Sequence, residues 1–200
     1  MRRVALLAVV AVTAVGCGVQ RDHGPRPIDA ANVPFDLLSP TAPSSSTTVA
    51  VGPLTTAVRI YLVNDAGTLV AAARQVQGAA TVGRAVQALL DGPSQPEADQ
   101  QLATAVASGT KLLDVVGPAD DGTVVIDVSR DLLKVTGKRQ IEALAQLVFT
   151  ATDIPSVRRV TFKFQGEEHD VPNGSGQLTS AALDRQDFYA LAPAPGSSTP

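Results

Sequence analysis

The sequence has no tryptophan and only one cysteine, and aromatic residues make up 4% of its 200 positions. A lone cysteine cannot close an internal disulfide, and a metal centre built on it would need ligands from elsewhere. The scarcity of aromatics argues against a dedicated sugar cleft or stacking site, which use aromatic platforms. Histidine is nearly missing too: only His23 and His169 occur. A Ser-His-Asp arrangement needs a histidine near a positioned serine. His23 lies in a proline-containing N-terminal stretch, His169 lies in the turn-like "EEHD", and no glycine-flanked serine elbow is present. Cations are outnumbered. Without Arg2 and Arg3 the 16 Lys+Arg fall to 14 against 19 Asp+Glu, a net charge of −5. Nucleic acid and anionic membrane surfaces require clustered positive charge, so neither is expected as a partner.

Long apolar runs are also missing. Residues 4–16, "VALLAVVAVTAVG", are thirteen positions without a charge. That is too short for a helix to cross a hydrocarbon core about 30 Å thick. After the basic pair Arg2 and Arg3, it fits the apolar region of a secretory signal. The small or modest side chains of Ala14, Val15 and Gly16 lead directly into Cys17. This junction is similar to the lipobox of bacterial lipoproteins. The resemblance implies cleavage before Cys17, a diacylglyceryl thioether on its sulfur, and acylation of the new amino terminus. Each buried methylene contributes about 0.8 kcal/mol, and stable anchoring takes about two chains, which one lipidated cysteine supplies. The other reading of Cys17 is a buried apolar cysteine after an ordinary signal peptide.

The expected organisation is a signal peptide at 1–16, a lipidated Pro/Ser/Thr-rich tether at 17–56, a folded domain at 57–191 and a tail at 192–200. "GPRP" and "SPTAPSSSTTVAVGPLTT" have the composition of linkers. As a flexible coil, a tether of this length would hold the domain roughly 30–40 Å from the bilayer. "VPFDLL" at 33–38 is more apolar than a linker requires.

Periodicity begins at residue 57. "AVRIYLV" alternates, with Val58, Ile60 and Leu62 on one face and Arg59 and Tyr61 on the other, which predicts a half-buried strand. "NDAG" is a hairpin turn, and 68–76 is the return strand. Thr81 caps a helix whose stripe is Val82, Ala85, Val86, Leu89 and Leu90, stopped by Gly92 and Pro93. A short helix is expected near 97–106, then strands at 110–116 and 123–129 around the turn "ADDG". Thr136 is placed as the cap of a second long helix to about 151, with a stripe of Ile141, Leu144, Ala145 and Val148. In "VRRVTFKF", Val160, Phe162 and Phe164 point inward while Arg159, Thr161 and Lys163 point out. "QGEE" turns the chain, "HDVP" pairs back, and 183–191 closes as a short helix. The predicted class is α+β, an antiparallel or mixed β-sheet with two to three helices packed mainly on one face.

The succession "VRIYLVNDAGTLVAAARQV", "TVGRAVQALLDGPS", "GTKLLDV", "TVVIDVSRDLL" and "IEALAQLVFTATDIPSVRRVTFKFQGEE" resembles the GerMN domain of sporulation and germination proteins. The lead-in "CGVQ…PRPI…VPFDLL" is similar to that of actinobacterial GerMN lipoproteins. The resemblance implies an α+β domain on the outer side of the cytoplasmic membrane in cell-envelope or spore-envelope proteins. Its motifs are packing and turn signatures, so it supplies no catalytic residues and no cofactor.

Chemical constellations are sparse. Glu167, Glu168, His169 and Asp170 are adjacent, which aims neighbours in different directions, so they read as a charged turn rather than a metal site. Asp114, Asp120, Asp121, Asp127 and Asp131 offer carboxylates for paired acid/base work. Of these, Asp120 and Asp121 serve a turn, and Asp127 alternates with inward valines and faces solvent. "VTGKRQ" lacks the first glycine of a phosphate loop, because Leu132 stands there. Lys138 and Arg139 at a helix start remain able to attract an anion. The surviving candidate is a surface of Arg59, Tyr61, Arg159, Thr161 and Lys163, a mildly basic patch if the two strands are neighbours. The functional expectation is a lipid-anchored binding or scaffolding module on the outer face of the cell membrane. It would reach the bilayer through acylated Cys17 and an envelope protein or wall polymer through its sheet. The alternative is a cell-wall-active hydrolase using acidic residues.

Overall fold

The computed structural model describes residues 54–194. The expected signal peptide, Cys17, most of the expected tether, "VPFDLL" and the last six residues lie outside them. The described residues begin with an antiparallel hairpin, β1 (Thr55–Val63) and β2 (Leu69–Gln77), in register from Thr55↔Gln77 to Val63↔Leu69. Asn64 makes the turn: its side-chain oxygen accepts from the Ala66 and Thr68 N–H groups and from the Thr68 hydroxyl. Two helices follow, α1 (Val82–Leu90) and α2 (Gln95–Asp99). Thr81 caps α1, its hydroxyl accepting from the Arg84 N–H at 3.3 Å. The short helix lies earlier than expected because Ser94 and Glu97 form a reciprocal capping box over Pro96.

A four-stranded sheet in the order β3-β4-β5-β6 comes next: β3 (Leu112–Val116), β4 (Thr123–Val128), β5 (Arg159–Phe164) and β6 (Glu167–Glu168). β4 and β5 are parallel and the outer pairs antiparallel, so the sheet is mixed. The parallel pair needs a long crossover, which consists of a 3-10 turn at Arg130–Lys134 and the helix α3 (Lys138–Ala151). After β5 the return is made by Glu167 and Glu168 themselves, as β6. Val171–Pro172 (β7) pairs instead with Leu178–Thr179 (β8), and a 3-10 segment at Gln186–Leu191 closes the chain. The class is α+β, as the periodicities predict.

Alternation works cleanly on the mixed sheet. Val124, Ile126, Val128, Val160, Phe162 and Phe164 are buried on one face, while Val125, Asp127, Thr161 and Lys163 are half-buried on the other. The helices depart from simple stripes. From Ala143 to Ala151 every residue of α3 is buried, including Gln146 and Thr150 at 0% exposure. The reason is position: α3 contacts β1, α1, β5 and both 3-10 segments, so no side of residues 143–151 meets water, while Lys138 and Arg139 in its first turn stay exposed. Its cap is Gly137, at φ 62° and ψ −141°, rather than Thr136. That backbone conformation is one a β-branched residue adopts only with strain.

Candidate functional site

The structure separates the residues expected to share a patch. β1 belongs to the two-stranded hairpin and β5 to the four-stranded sheet, so Arg59 and Tyr61 do not line up with Arg159, Thr161 and Lys163. Tyr61 does not face solvent either. It is 4% exposed, packs edge-on against Phe149 with ring centroids 5.4 Å apart, and donates its hydroxyl to Asp153 at 3.0 Å. Alternation fails on β1 because both faces of Ile60–Val63 are covered.

Tyr61 belongs to a polar cluster at the C-terminal end of α3. One carboxylate oxygen of Asp153 accepts from Tyr61, from Arg59 at 3.3 Å and from Arg185 at 3.2 Å. Arg185 also donates to the Thr152 hydroxyl at 2.8 Å and to the Phe149 carbonyl at 3.0 Å. Its guanidinium lies 5.4 Å and 5.0 Å from the ring centroids of Tyr61 and Phe149. A cation here satisfies an end-of-helix carbonyl and meets the negative end of the helix dipole. Burial, together with the Asp153 carboxylate, raises the Tyr61 phenol above its ordinary value, Arg185 opposing. The cluster therefore clamps the closing segment onto α3 and holds Tyr61 as a neutral donor.

A second polar cluster joins β2 to the α1–α2 connection. Arg74 makes paired hydrogen bonds to the Glu97 carboxylate and donates to the Gly92 carbonyl at 3.1 Å. Glu97, 6% exposed, also accepts from the Ser94 N–H and hydroxyl. Burial alone would raise its pKa, but the bonds from Arg74 and Ser94 outweigh it and hold the carboxyl below the usual range. Arg139, the expected anion-attracting residue, is spent on the carbonyls of Ala105 and Thr104, and Lys138 pairs with Glu142 at 3.3 Å.

On the open face of the mixed sheet the register creates one row across all four strands: Asp114, Asp127, Lys163 and Glu168. One strand end further on, Arg159 pairs with Asp121 at 3.1 Å. The surface around Lys163 is therefore of mixed charge rather than basic. Hydrogen bonds from the Thr123 N–H and hydroxyl, helped by Arg159, lower the Asp121 pKa. Asp127 is half-buried rather than solvent-facing, and its Oδ1 is shielded without a hydrogen-bond partner among the described residues. Among those residues no group of three or more His, Cys, Asp or Glu side chains could hold a metal ion. His169 stands edge-on to Phe164, with ring centroids 5.8 Å apart. Shallow grooves line the hairpin: one of about 210 Å³ beside Asp153 and Arg59, and one of about 290 Å³ between β2 and α1. The sequence pattern singled out none of Arg74, Glu97, Asp153 and Arg185, nor Gln146 and Thr150, the two for which a signal existed. The available signal was an uncharged run, residues 143–152, that still carried an amide and hydroxyls.

A hairpin and a mixed four-stranded sheet packed on α3, with polar clusters that join the elements, define an α+β domain. The chain belongs to the Germane family, described as "Sporulation and spore germination", whose model matches residues 59–170. Two solved structures share the fold. The tandem GerMN domains of the sporulation protein GerM from Bacillus subtilis align at 22% identity and a TM-score of 0.54, over 67% of this chain and 48% of that one. The first GerMN domain of the same protein aligns at 23% identity and a TM-score of 0.52, over 66% of this chain and 99% of that one. The chain thus spans about half the length of the tandem structure. No curated protein sequence matches it. The family match ends at Asp170 and leaves out Arg185 and the closing segment.

Proposed function

We propose that this protein is a non-catalytic binding or scaffolding module, held by acylated Cys17 at the outer face of the cell membrane and serving the cell envelope. The observation carrying this reading is the use made of the polar side chains. Arg74–Glu97, Arg185–Asp153–Tyr61 and Arg139 with the 104–105 carbonyls each join two elements. None sets a nucleophile beside a base. The basic pair, the short apolar run and the lone Cys17 support the anchor. No helix among the described residues is long and apolar enough to cross a membrane. Of the expected contact surface, Arg159, Thr161 and Lys163 remain together on an open sheet face that an envelope protein or wall polymer would meet.

One observation favours the hydrolase alternative: Asp114 and Asp127 are direct cross-strand partners, and like charges so placed disfavour folding unless they serve something. They lie on a sheet face, however, and line none of the grooves described above. Incubating the full chain with purified bacterial cell wall decides between the two. The binding module sediments with the wall or leaves it untouched and releases no soluble fragments. Release that disappears in Asp114→Asn or Asp127→Asn would make the protein a hydrolase.

A further inference from the structure

We propose that the outward edge of β2, from Ala73 to Gln77, is a self-association site that pairs antiparallel with the same edge of a second copy, about a twofold axis at Gln75. Exposed strand edges are templates for further pairing, and proteins ordinarily guard them with bulges, charge, proline or very short strands. The other edges here are guarded. β3 carries a register shift between Leu112 and Asp114. β6 is two glutamates, and β7 and β8 are two residues each, one of them Pro172. β1 is closed by α3 and the 103 segment. Tyr61 N–H donates to the Thr150 hydroxyl, Tyr61 C=O accepts from Gln146, and Val63 exchanges both backbone bonds with Ala103. Ahead of Tyr61, Arg59 charges that edge and reaches to Asp153.

Among the described residues β2 has no bulge, proline or covering segment at 73–77, and its one charge is paired within the domain. The bonds Gly78 N–H to Leu54 C=O and Asn64 N–H to Thr68 C=O set the ladder parity. Even-numbered residues therefore bond across the hairpin, while the backbone groups of Ala73, Gln75 and Gln77 point away from β1. These three residues are exposed, and among the described residues the hairpin sheet has no third strand. Leu69 and Ala71, further along the same edge, are buried, which confines the open stretch to 73–77.

The chemistry of this stretch fits its own copy. Its one charge, Arg74, is already neutralised by Glu97, so no like charges oppose each other across the axis. A twofold at Gln75 sets Gln75 against Gln75 and Ala73 against Gln77, with side-chain amides able to donate and accept in both directions. The adjoining groove is polarised along α1. Arg84 stands near one end, its guanidinium donating to the Ala79 carbonyl at 2.7 Å, and Asp91, which accepts from the Gln87 amide, stands at the other. A twofold operation reverses the groove, bringing the Arg84 end of one copy to the Asp91 end of the other. The contact is short, about 17 Å of strand, so it belongs with weak, reversible interfaces. It holds whether or not Cys17 is acylated.

Sedimentation of the purified full chain in detergent, in a concentration series to about 1 mM, tests the proposal. The wild type is expected to show a monomer–dimer equilibrium. Gln75→Pro removes an N–H that the hairpin does not use, and Gln75→Lys opposes two cations at the axis; each weakens dimerisation at least about tenfold with an unchanged unfolding midpoint. Arg84→Asp, an exposed substitution, weakens it as well, and Arg84→Asp with Asp91→Arg restores it. A wild type that stays monomeric, or variants that dimerise as it does, would overturn the proposal.

Discussion

Gln146 is the residue on which the interior turns. Its amide bridges two pieces of backbone, donating to the Tyr61 carbonyl at 2.8 Å and accepting from the Ala105 N–H at 2.7 Å, at zero exposure. Replacing it with leucine keeps the volume but leaves a buried carbonyl and a buried N–H unpaired, each costing about 1–3 kcal/mol. Gln146→Leu is therefore expected to lose about 2–4 kcal/mol in urea unfolding; a loss near zero would mean that α3 does not close the β1 edge in this way. Glu97 gives a pH-dependent counterpart. Its folded-state pKa lies below its unfolded value of 4.5. The stability it contributes is therefore present above that value and lost as pH falls through the folded one. Unfolding midpoints measured between neutral and acid pH should fall more steeply for the wild type than for Glu97→Gln, which starts lower; parallel curves would contradict the assignment.

At the scale of elements, the strands of the mixed sheet were legible because each has one dry and one wet face, as Val160, Phe162 and Phe164 against Thr161 and Lys163 display. β1 misled because burial on both faces erases alternation, so Tyr61 read as an outward residue. The α3 stripe was legible, but its neighbours were not: nothing local says that Gln146 and Thr150 will face backbone rather than water. Nor does spacing reveal which strands are neighbours, and the shared Arg59–Lys163 patch depended on that. The closing segment makes its own prediction. A Cβ on Gly174 would stand 2.2 Å from the Asp187 carbonyl oxygen, and that oxygen accepts the Gly174 N–H at 3.0 Å. Gly174→Ala must push the 186–191 segment away. Amide exchange of the Phe188 and Ala192 N–H groups should speed up in this variant while β4 and β5 stay protected; uniform acceleration would mean that the segment and the sheet open together.

For the whole molecule, the family match states what kind of domain residues 59–170 form. Under the proposed function, where the protein acts depends on residues 1–17. The central claim is that Cys17 carries lipid and holds an inert module outside the membrane. The direct measurement is fractionation of cells expressing the full chain or Cys17→Ser, with labelled palmitate supplied. The account predicts a labelled, membrane-bound wild type and an unlabelled Cys17→Ser protein with altered processing, released from the membrane in proportion. An unlabelled wild type, or the two proteins in the same fraction at the same apparent mass, would contradict it.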